Sequence, residues 1–219
     1  MINIALDGPA GSGKSTVAKI LAKRLDILYL DTGAMYRACA LKCLKEGVDV
    51  TDAEKVDELI SGIDLKIKYE NGSQITMLDG EDVSSAIRKA EVSMLASTVS
   101  AHKSVRLKMV EKQREIASQM DCVLDGRDIG SFVLPNAKFK FYVTADGKVR
   151  AERRYKELLE RGEKVDFDAL YKEILQRDYN DSHREFAPLK QAEDAVVIDT
   201  SYITADEVAE KIISVVKGI

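Results

Sequence analysis

The sequence predicts an α/β fold, with a central parallel sheet flanked by helices. Two observations carry that reading. Short apolar runs of strand length alternate with longer segments whose apolar residues recur at helical spacing. A glycine cluster stands directly after the first apolar run and directly before the first such helix, as expected where a buried parallel strand hands over to a helix. A third observation adds a detail: residues 65–83 break the alternation with period two, which marks a small antiparallel β insertion.

Taken in order, INIALD (2–7) reads as a buried strand, and Val17, Ile20, Leu21 and Leu25 define a helix over 14–25. LYL (28–30) is a second strand ending at Asp31, and 34–46 a helix broken at Gly47. LKIKYE, then Asn-Gly, then SQITML, then Asp-Gly, then EDV gives a meander, because both dipeptides favour the tight turns that join antiparallel strands. Helices are expected over 86–100 and 105–119, the latter with Ser104 as N-cap, and strands over 122–125 and 138–143. Residues 147–161 form an arginine-rich helix ending at Gly162, and 167–182 a second helix. AVVID (195–199) is the last strand. Thr204 and Glu207 then make a capping box for a final helix with Val208, Ile212, Val215 and Val216 inward.

The 219 residues suit one domain with an insertion, and 45% hydrophobic with 32% charged residues is an ordinary globular balance. A net charge of −4 argues against a nucleic-acid partner, and no apolar run approaches the length of a membrane span. Cys39, Cys43 and Cys122 sit in apolar surroundings and read as core residues of a chain in a reducing cytoplasm. His102 and His183 are far apart in sequence and make no metal-ligand spacing. A cytoplasmic monomer is the expectation.

GPAGSGKS (8–15) satisfies G-x-x-x-x-G-K-[ST] in full, between a strand and a helix. Backbone N–H groups of Gly8, Pro9–Ala10, Gly11, Ser12 and Gly13 can turn toward phosphate oxygens where a nitrogen carries hydrogen, and the helix N-terminus adds partial positive charge. Lys14 reaches the β- and γ-phosphates, Ser15 offers a hydroxyl to Mg²⁺, and Thr16 follows in the first helical turn. The fold class is therefore that of P-loop nucleotide-binding proteins, with ATP and Mg²⁺ as the expected cofactors.

Three kinds of P-loop protein compete. A GTPase needs a guanine-reading N-K-x-D, which the sequence lacks, and an ATP-driven remodelling module usually carries a basic track or further domains. A kinase acting on a small hydroxyl metabolite needs a general base, for which Asp31 or Asp125 would serve. A kinase acting on a nucleoside monophosphate needs no base, because its acceptor is already anionic; it needs cations to offset repulsion between two phosphates. Arginines stand where that would be met. Arg37 and Arg127 follow two strand ends, and ligands of such sheets gather outside the carboxyl ends of the strands. Arg177, Asp181 and Arg184 recur at helical spacing, which places them on one face.

Taken together, DGPAGSGKST (7–16), LDTGAMYRA (30–38), DGEDVS (79–84), LDGRDIGS (124–131) and RDYNDSHR (177–184) with APL (187–189) resemble the bacterial cytidylate kinase family. The match spans nearly the whole chain, and DTGAMYR with DGRDIG is far more specific than the phosphate loop alone. The resemblance implies the reaction ATP + CMP → ADP + CDP, with dCMP also accepted. It implies a core (1–62, 99–145, 166–219), a monophosphate-binding insertion with the meander (63–98) and a helical lid (146–165). Thr32, Tyr36, Arg37 and Arg127 fall in the acceptor region, with the two arginines on its phosphate. Ser97, Arg106 and Asp128 match groups that read cytosine, although Ser93 and Ser100 lie close to Ser97. Arg177 and Asp181 match ribose contacts and Arg184 a phosphate contact. In the lid, Arg150, Arg153 or Arg154 would meet charge developing on the transferred group, with Gly147 and Gly162 as hinges.

CVLDGRDIG (122–130) then makes sense as a functional strand end. Gly126 permits a sharp exit, so that Arg127 can serve the acceptor phosphate while Asp128 serves the base. A carboxylate accepts a hydrogen bond from the cytosine amino group and would repel the carbonyl that uracil presents there. Asp125 is placed toward the metal or its waters. The competing reading is that the two aspartates merely neutralise Arg127.

Overall fold

The computed structural model describes residues 1–218. In chain order the elements are β1 (Asn3–Asp7), α1 (Lys14–Leu25), β2 (Leu28–Asp31), α2 (Thr32–Lys45), α3 (Ala53–Ser61), β3 (Leu65–Glu70), β4 (Ser73–Leu78) and β5 (Glu81–Asp82). A 3₁₀ turn (Ala86–Arg88) leads to α4 (Ala90–Val99) and α5 (Lys103–Gln119), then β6 (Cys122–Gly126) and a π-helical turn (Ile129–Val133). The chain closes with β7 (Phe139–Thr144), α6 (Gly147–Glu160), α7 (Phe167–His183), β8 (Val196–Asp199) and α8 (Ala205–Lys217).

Internal contacts divide the chain into two units. One comprises Ile2–Ile27 and the chain from Val123 onward. Its strands run β6-β1-β7-β8, with β1 parallel to β7 and β7 parallel to β8. Ile4, Leu6, Val123, Leu124, Phe141 and Val143 are buried across these strands, which is why their sequences are apolar runs instead of alternating ones. The register pairs Asp7 with Tyr142 and Thr144 with Asp199, so the carboxyl ends lie along one edge of the sheet. Helices flank the sheet. α1 packs on α8, an approach fixed at the surface by Arg24 with Asp206 and Glu210. α6 packs on α7 through Ala151, Leu158, Leu170 and Ile174, with Tyr155, Phe167 and Tyr171 around them.

The other unit, Met1 with Leu28–Cys122, holds β2, helices α2 to α5 and the three-stranded antiparallel sheet β3-β4-β5. Both turns of that meander put two successive residues at positive φ, Asn71 (50°) with Gly72 (73°) and Asp79 (51°) with Gly80 (84°). That is the backbone the hairpin dipeptides of the sequence demand. α2 packs against α4 and α5, and Cys39 Sγ lies 3.7 Å from Met109 Sδ in this core. All three cysteines are buried, and burial pushes the thiols of Cys39 and Cys122 up to about 12, so both are packing groups.

Helix starts follow the cap residues. Asp31, Asp52, Asp146, Asp166 and Thr204 each accept from a backbone N–H of the first turn, and Thr204 with Glu207 completes its capping box. Four features differ from the sequence reading. Val215 of α8, expected inward, is exposed, and Ala209 and Ile213 join Val208 and Ile212 on the buried side instead. α3 was not expected: Asp52 caps it and Val56 with Ile60 supplies its buried side, a signal only nine residues long. The expected helix over 86–100 divides into the 3₁₀ turn and α4. α5 starts after His102 without a side-chain cap, and Ser104 lies inside its first turn instead of capping it. Among the described residues, no helix is long and apolar enough to cross a membrane.

Candidate active site

Each unit carries a group of the candidate side chains. In the sheet unit the chain leaves β1 at Asp7 and turns at Gly8 (φ 145°), where a Cβ would stand 2.0 Å from the Val143 carbonyl oxygen; no other residue fits so close to β7. Pro9, Ala10, Gly11, Ser12 and Gly13 follow, and Lys14, Ser15 and Thr16 open α1. Lys14 Nζ folds back over the loop, donating to the Pro9 carbonyl (2.7 Å) and Ser12 Oγ (3.2 Å). Burial, then the nearby Arg127 guanidinium, push the Lys14 ammonium down to about 7. Ser15 Oγ donates to Asp125 Oδ2 at 2.6 Å. A hydroxyl and a carboxylate so close together are the hard oxygen donors that a Mg²⁺ ion bound to a triphosphate accepts.

The strand end at 125–128 sends its charges to separate partners. Asp125 takes the Ser15 hydroxyl. Arg127 Nε donates to Asp181 Oδ2 at 2.8 Å, and Asp128 Oδ1 lies 3.3 Å from Arg184 Nη2. Both pairs are largely buried. Burial raises the Asp181 carboxyl, but Arg127 against it, with Arg177 and Arg184 nearby, holds it below the ordinary range. Arg177, half-buried, shares the helix with Asp181. Arg184 does not continue that helical face: α7 ends at His183, and Arg184 is an extended C-cap (φ −62°, ψ 143°) whose Nε donates to the Ala187 carbonyl at 2.6 Å. The following Ala187 and Pro188 turn the chain, and the side chain reaches Asp128 from beyond the helix end.

The basic helix α6 distributes its arginines unequally. Arg150 is buried, donating to the Ala145 and Ala10 carbonyls (both 3.0 Å) and pairing with Asp178 at 2.7 Å, so it braces the phosphate loop. Arg153 binds the Thr200 carbonyl (2.5 Å) and hydroxyl (3.1 Å), and that hydroxyl donates to the Ser12 carbonyl. Arg154 is the more exposed and pairs with Glu157 one turn on at 2.8 Å.

In the other unit Asp31 is a hub. Its Oδ1 accepts from Ala34 N, capping α2, and its Oδ2 accepts from Arg37 and Arg88, both at 2.9 Å. Gln74 of β4 grips the Asp31 backbone from both sides, accepting from its N–H (2.8 Å) and donating to its carbonyl (3.3 Å). Thr32 is buried at the start of α2. The Arg106 guanidinium lies 5.2 Å over the Tyr36 ring, and its Nη1 donates to the Ser100 carbonyl. Ser97 is half-buried on α4, and its carbonyl accepts from Ser100 Oγ. Sequence reasoning missed Arg88, Gln74, Asp178 and Asp7. Arg88 and Gln74 lie outside every quoted motif, whereas Asp7 opens the phosphate-loop motif and Asp178 is the second residue of RDYNDSHR.

The cytidylate kinase family model matches residues 4–218. The chain belongs to the cytidylate kinase family. A cytidylate kinase of Caldicellulosiruptor saccharolyticus is 51% identical over 97% of this chain and 94% of its own length, and one of Bacillus subtilis 45% identical over 99% and 96%. Among solved structures, an uncharacterized protein from Eubacterium ventriosum (TM-score 0.56, 14% identity, covering 100% of both chains) shares the fold. So does a gluconokinase from Sinorhizobium meliloti (TM-score 0.50, 14% identity, 97% of this chain and 90% of that one). As a cytidylate kinase the chain is a phosphotransferase, carrying out ATP-dependent phosphorylation of CMP.

Proposed function

We propose that the residues above divide the reaction between a donor side and an acceptor side, with CMP and dCMP as acceptors. The observation that carries this reading is the set of cations at the carboxyl ends of β1 and β6, Lys14 and Arg127, with Arg184 beside Asp128. Lys14 and the loop amides hold the triphosphate. Mg²⁺, held by Ser15 with Asp125 behind it, would neutralise charge on the β- and γ-phosphates. Among the described residues no group of three or more His, Cys, Asp or Glu side chains gathers to hold a metal alone, which fits an ion that arrives with the nucleotide.

In the sheet unit, Arg127 and Arg184 serve the acceptor phosphate, Arg177 and Asp181 the ribose and Asp128 the base. In the other unit, Arg37 is the residue that the family resemblance assigns to the acceptor phosphate, and Thr32, Tyr36, Ser97 and Arg106 those it assigns to the remainder of the nucleoside. Segment 63–98 supports the acceptor side through Gln74 and Arg88, and 146–165 is the lid. Within the lid, Arg150 and Arg153 brace the loop while Arg154 is the arginine able to swing onto the transferred group. Closure excludes water, without which ATP would be hydrolysed.

Coupled ADP-release assays over CMP, dCMP, UMP, AMP, GMP, shikimate and gluconate test the reading, with CMP and dCMP expected to turn over fastest. In the same assay Asp128→Ala should lower the CMP:UMP ratio of kcat/KM by about tenfold or more, the worth of one good base contact. An unchanged ratio would show that another group reads the base.

A further inference from the structure

We propose that Asp7, the last residue of β1, is a positioning residue for base selection: its carboxylate fixes the backbone that carries Asp128. Asp7 Oδ1 accepts from Ile129 N and Oδ2 from Gly130 N, both at 2.7 Å. These are the two amides directly after Asp128. The Asp128 carbonyl in turn accepts from Phe132 N (2.9 Å) and Val133 N (3.0 Å), closing the π-helical turn. The Asp128 backbone (φ −144°, ψ 25°) is thus held on its C-terminal side by a carboxylate more than a hundred residues away in sequence. π-helical turns of this kind concentrate at functional sites.

Packing enforces the arrangement. Asp7 is 4% exposed. A Cβ on Gly130 would stand 3.1 Å from the Lys140 side chain and 3.4 Å from Asp7 Oδ2, so the amide lies close against the carboxylate. The motif D-G-R-D-I-G ends in the residue whose amide makes this contact, and the motif D-G-P-A-G-S-G-K-S begins with the aspartate that accepts it. The charged and titratable groups facing Asp7 are Lys14 from α1, Asp128 from the turn, and Tyr142 and Lys140 from β7. Burial, resisted by the two amides, pushes the Asp7 carboxyl up to about 6.

The inference rests on the assignment of Asp128 to the base, so Asp128→Ala is measured alongside. The readout is the CMP:UMP ratio of kcat/KM, in which titration of the shared acceptor phosphate cancels. Asp7→Asn keeps the shape but turns an amino group toward one of the two N–H donors. It should lower the ratio at least fivefold and raise KM for CMP more than KM for ATP. In the wild type the ratio should fall as pH drops through about 6, where Asp7 takes up its proton, and this needs no variant to fold. In Asp7→Asn the ratio should be low and independent of pH. If Asp128→Ala collapses the ratio while Asp7→Asn and low pH leave it intact, Asp7 does not position the reader. If Asp128→Ala leaves the ratio intact, the base assignment itself has failed, and the role of Asp7 with it.

Discussion

Lys14→Met should reduce turnover by about 10³-fold while leaving the protein at least as stable as the wild type. The loss of rate follows from the role of the side chain: its ammonium folds directly over the glycine loop, and removing a preorganised group at developing charge costs about 10²–10³ or more. The stability expectation follows from burial. The ammonium is 5% exposed as a residue, and its hydrogen bonds to the Pro9 carbonyl and Ser12 hydroxyl compete with desolvation and with Arg127. Its folded value of about 7 lies below its ordinary 10.5, so between those values the unfolded chain binds more protons than the folded one. Stability from this group is therefore lowest below pH 7 and rises with pH toward 10.5. Methionine removes the buried charge, so the gain in Tm over wild type should be larger at pH 6 than at pH 9. ATP binding should draw a proton onto Lys14 at pH 8, visible by calorimetry in buffers of different ionisation enthalpy and absent in the variant. A variant with near-normal turnover would remove Lys14 from the donor site.

What the sequence could reveal was local. The meander, the phosphate loop and the Thr204–Glu207 capping box are patterns in which each residue's neighbours supply the physics. Asp125, Arg127 and Asp128 were legible as a charged strand end, yet their partners were not. The simple alternative has the two aspartates neutralising the arginine between them. The direct contacts run elsewhere, Asp125 to Ser15, Arg127 to Asp181 and Asp128 to Arg184, although the Asp125 charge still favours the Arg127 cation. Those pairings join segments 54 residues or more apart and leave no periodicity to read. The same limit applies to α6. Its arginines read as a basic helix, but only the packing of α6 on α7 brings Arg150 to Asp178 and to the loop carbonyl of Ala10. Arg184 shows the opposite failure. Its i+7 spacing from Arg177 promised a shared helical face, and the helix ends one residue too soon.

Arg127→Met should have the second large effect, on both activity and stability, and the two can be separated. The guanidinium is assigned to the acceptor phosphate, and its loss should lower kcat/KM for CMP by about 10³-fold, within the range that arginines contribute to phosphoryl transfer. It is also the hydrogen-bonded partner of Asp181, whose side chain is 10% exposed. Without it that carboxylate is left buried beside only the more distant Arg177 and Arg184, and breaking a buried pair from one side costs about 3 kcal/mol or more. The single variant should therefore unfold at a clearly lower temperature, most strongly at neutral pH where Asp181 is ionised. Adding Asp181→Asn removes the stranded charge, so the double variant should recover most of the lost Tm. It should not recover turnover, because no cation has been restored to the acceptor phosphate. Recovery of both together would mean that Arg127 serves only to neutralise Asp181, and that the acceptor phosphate is met by other groups.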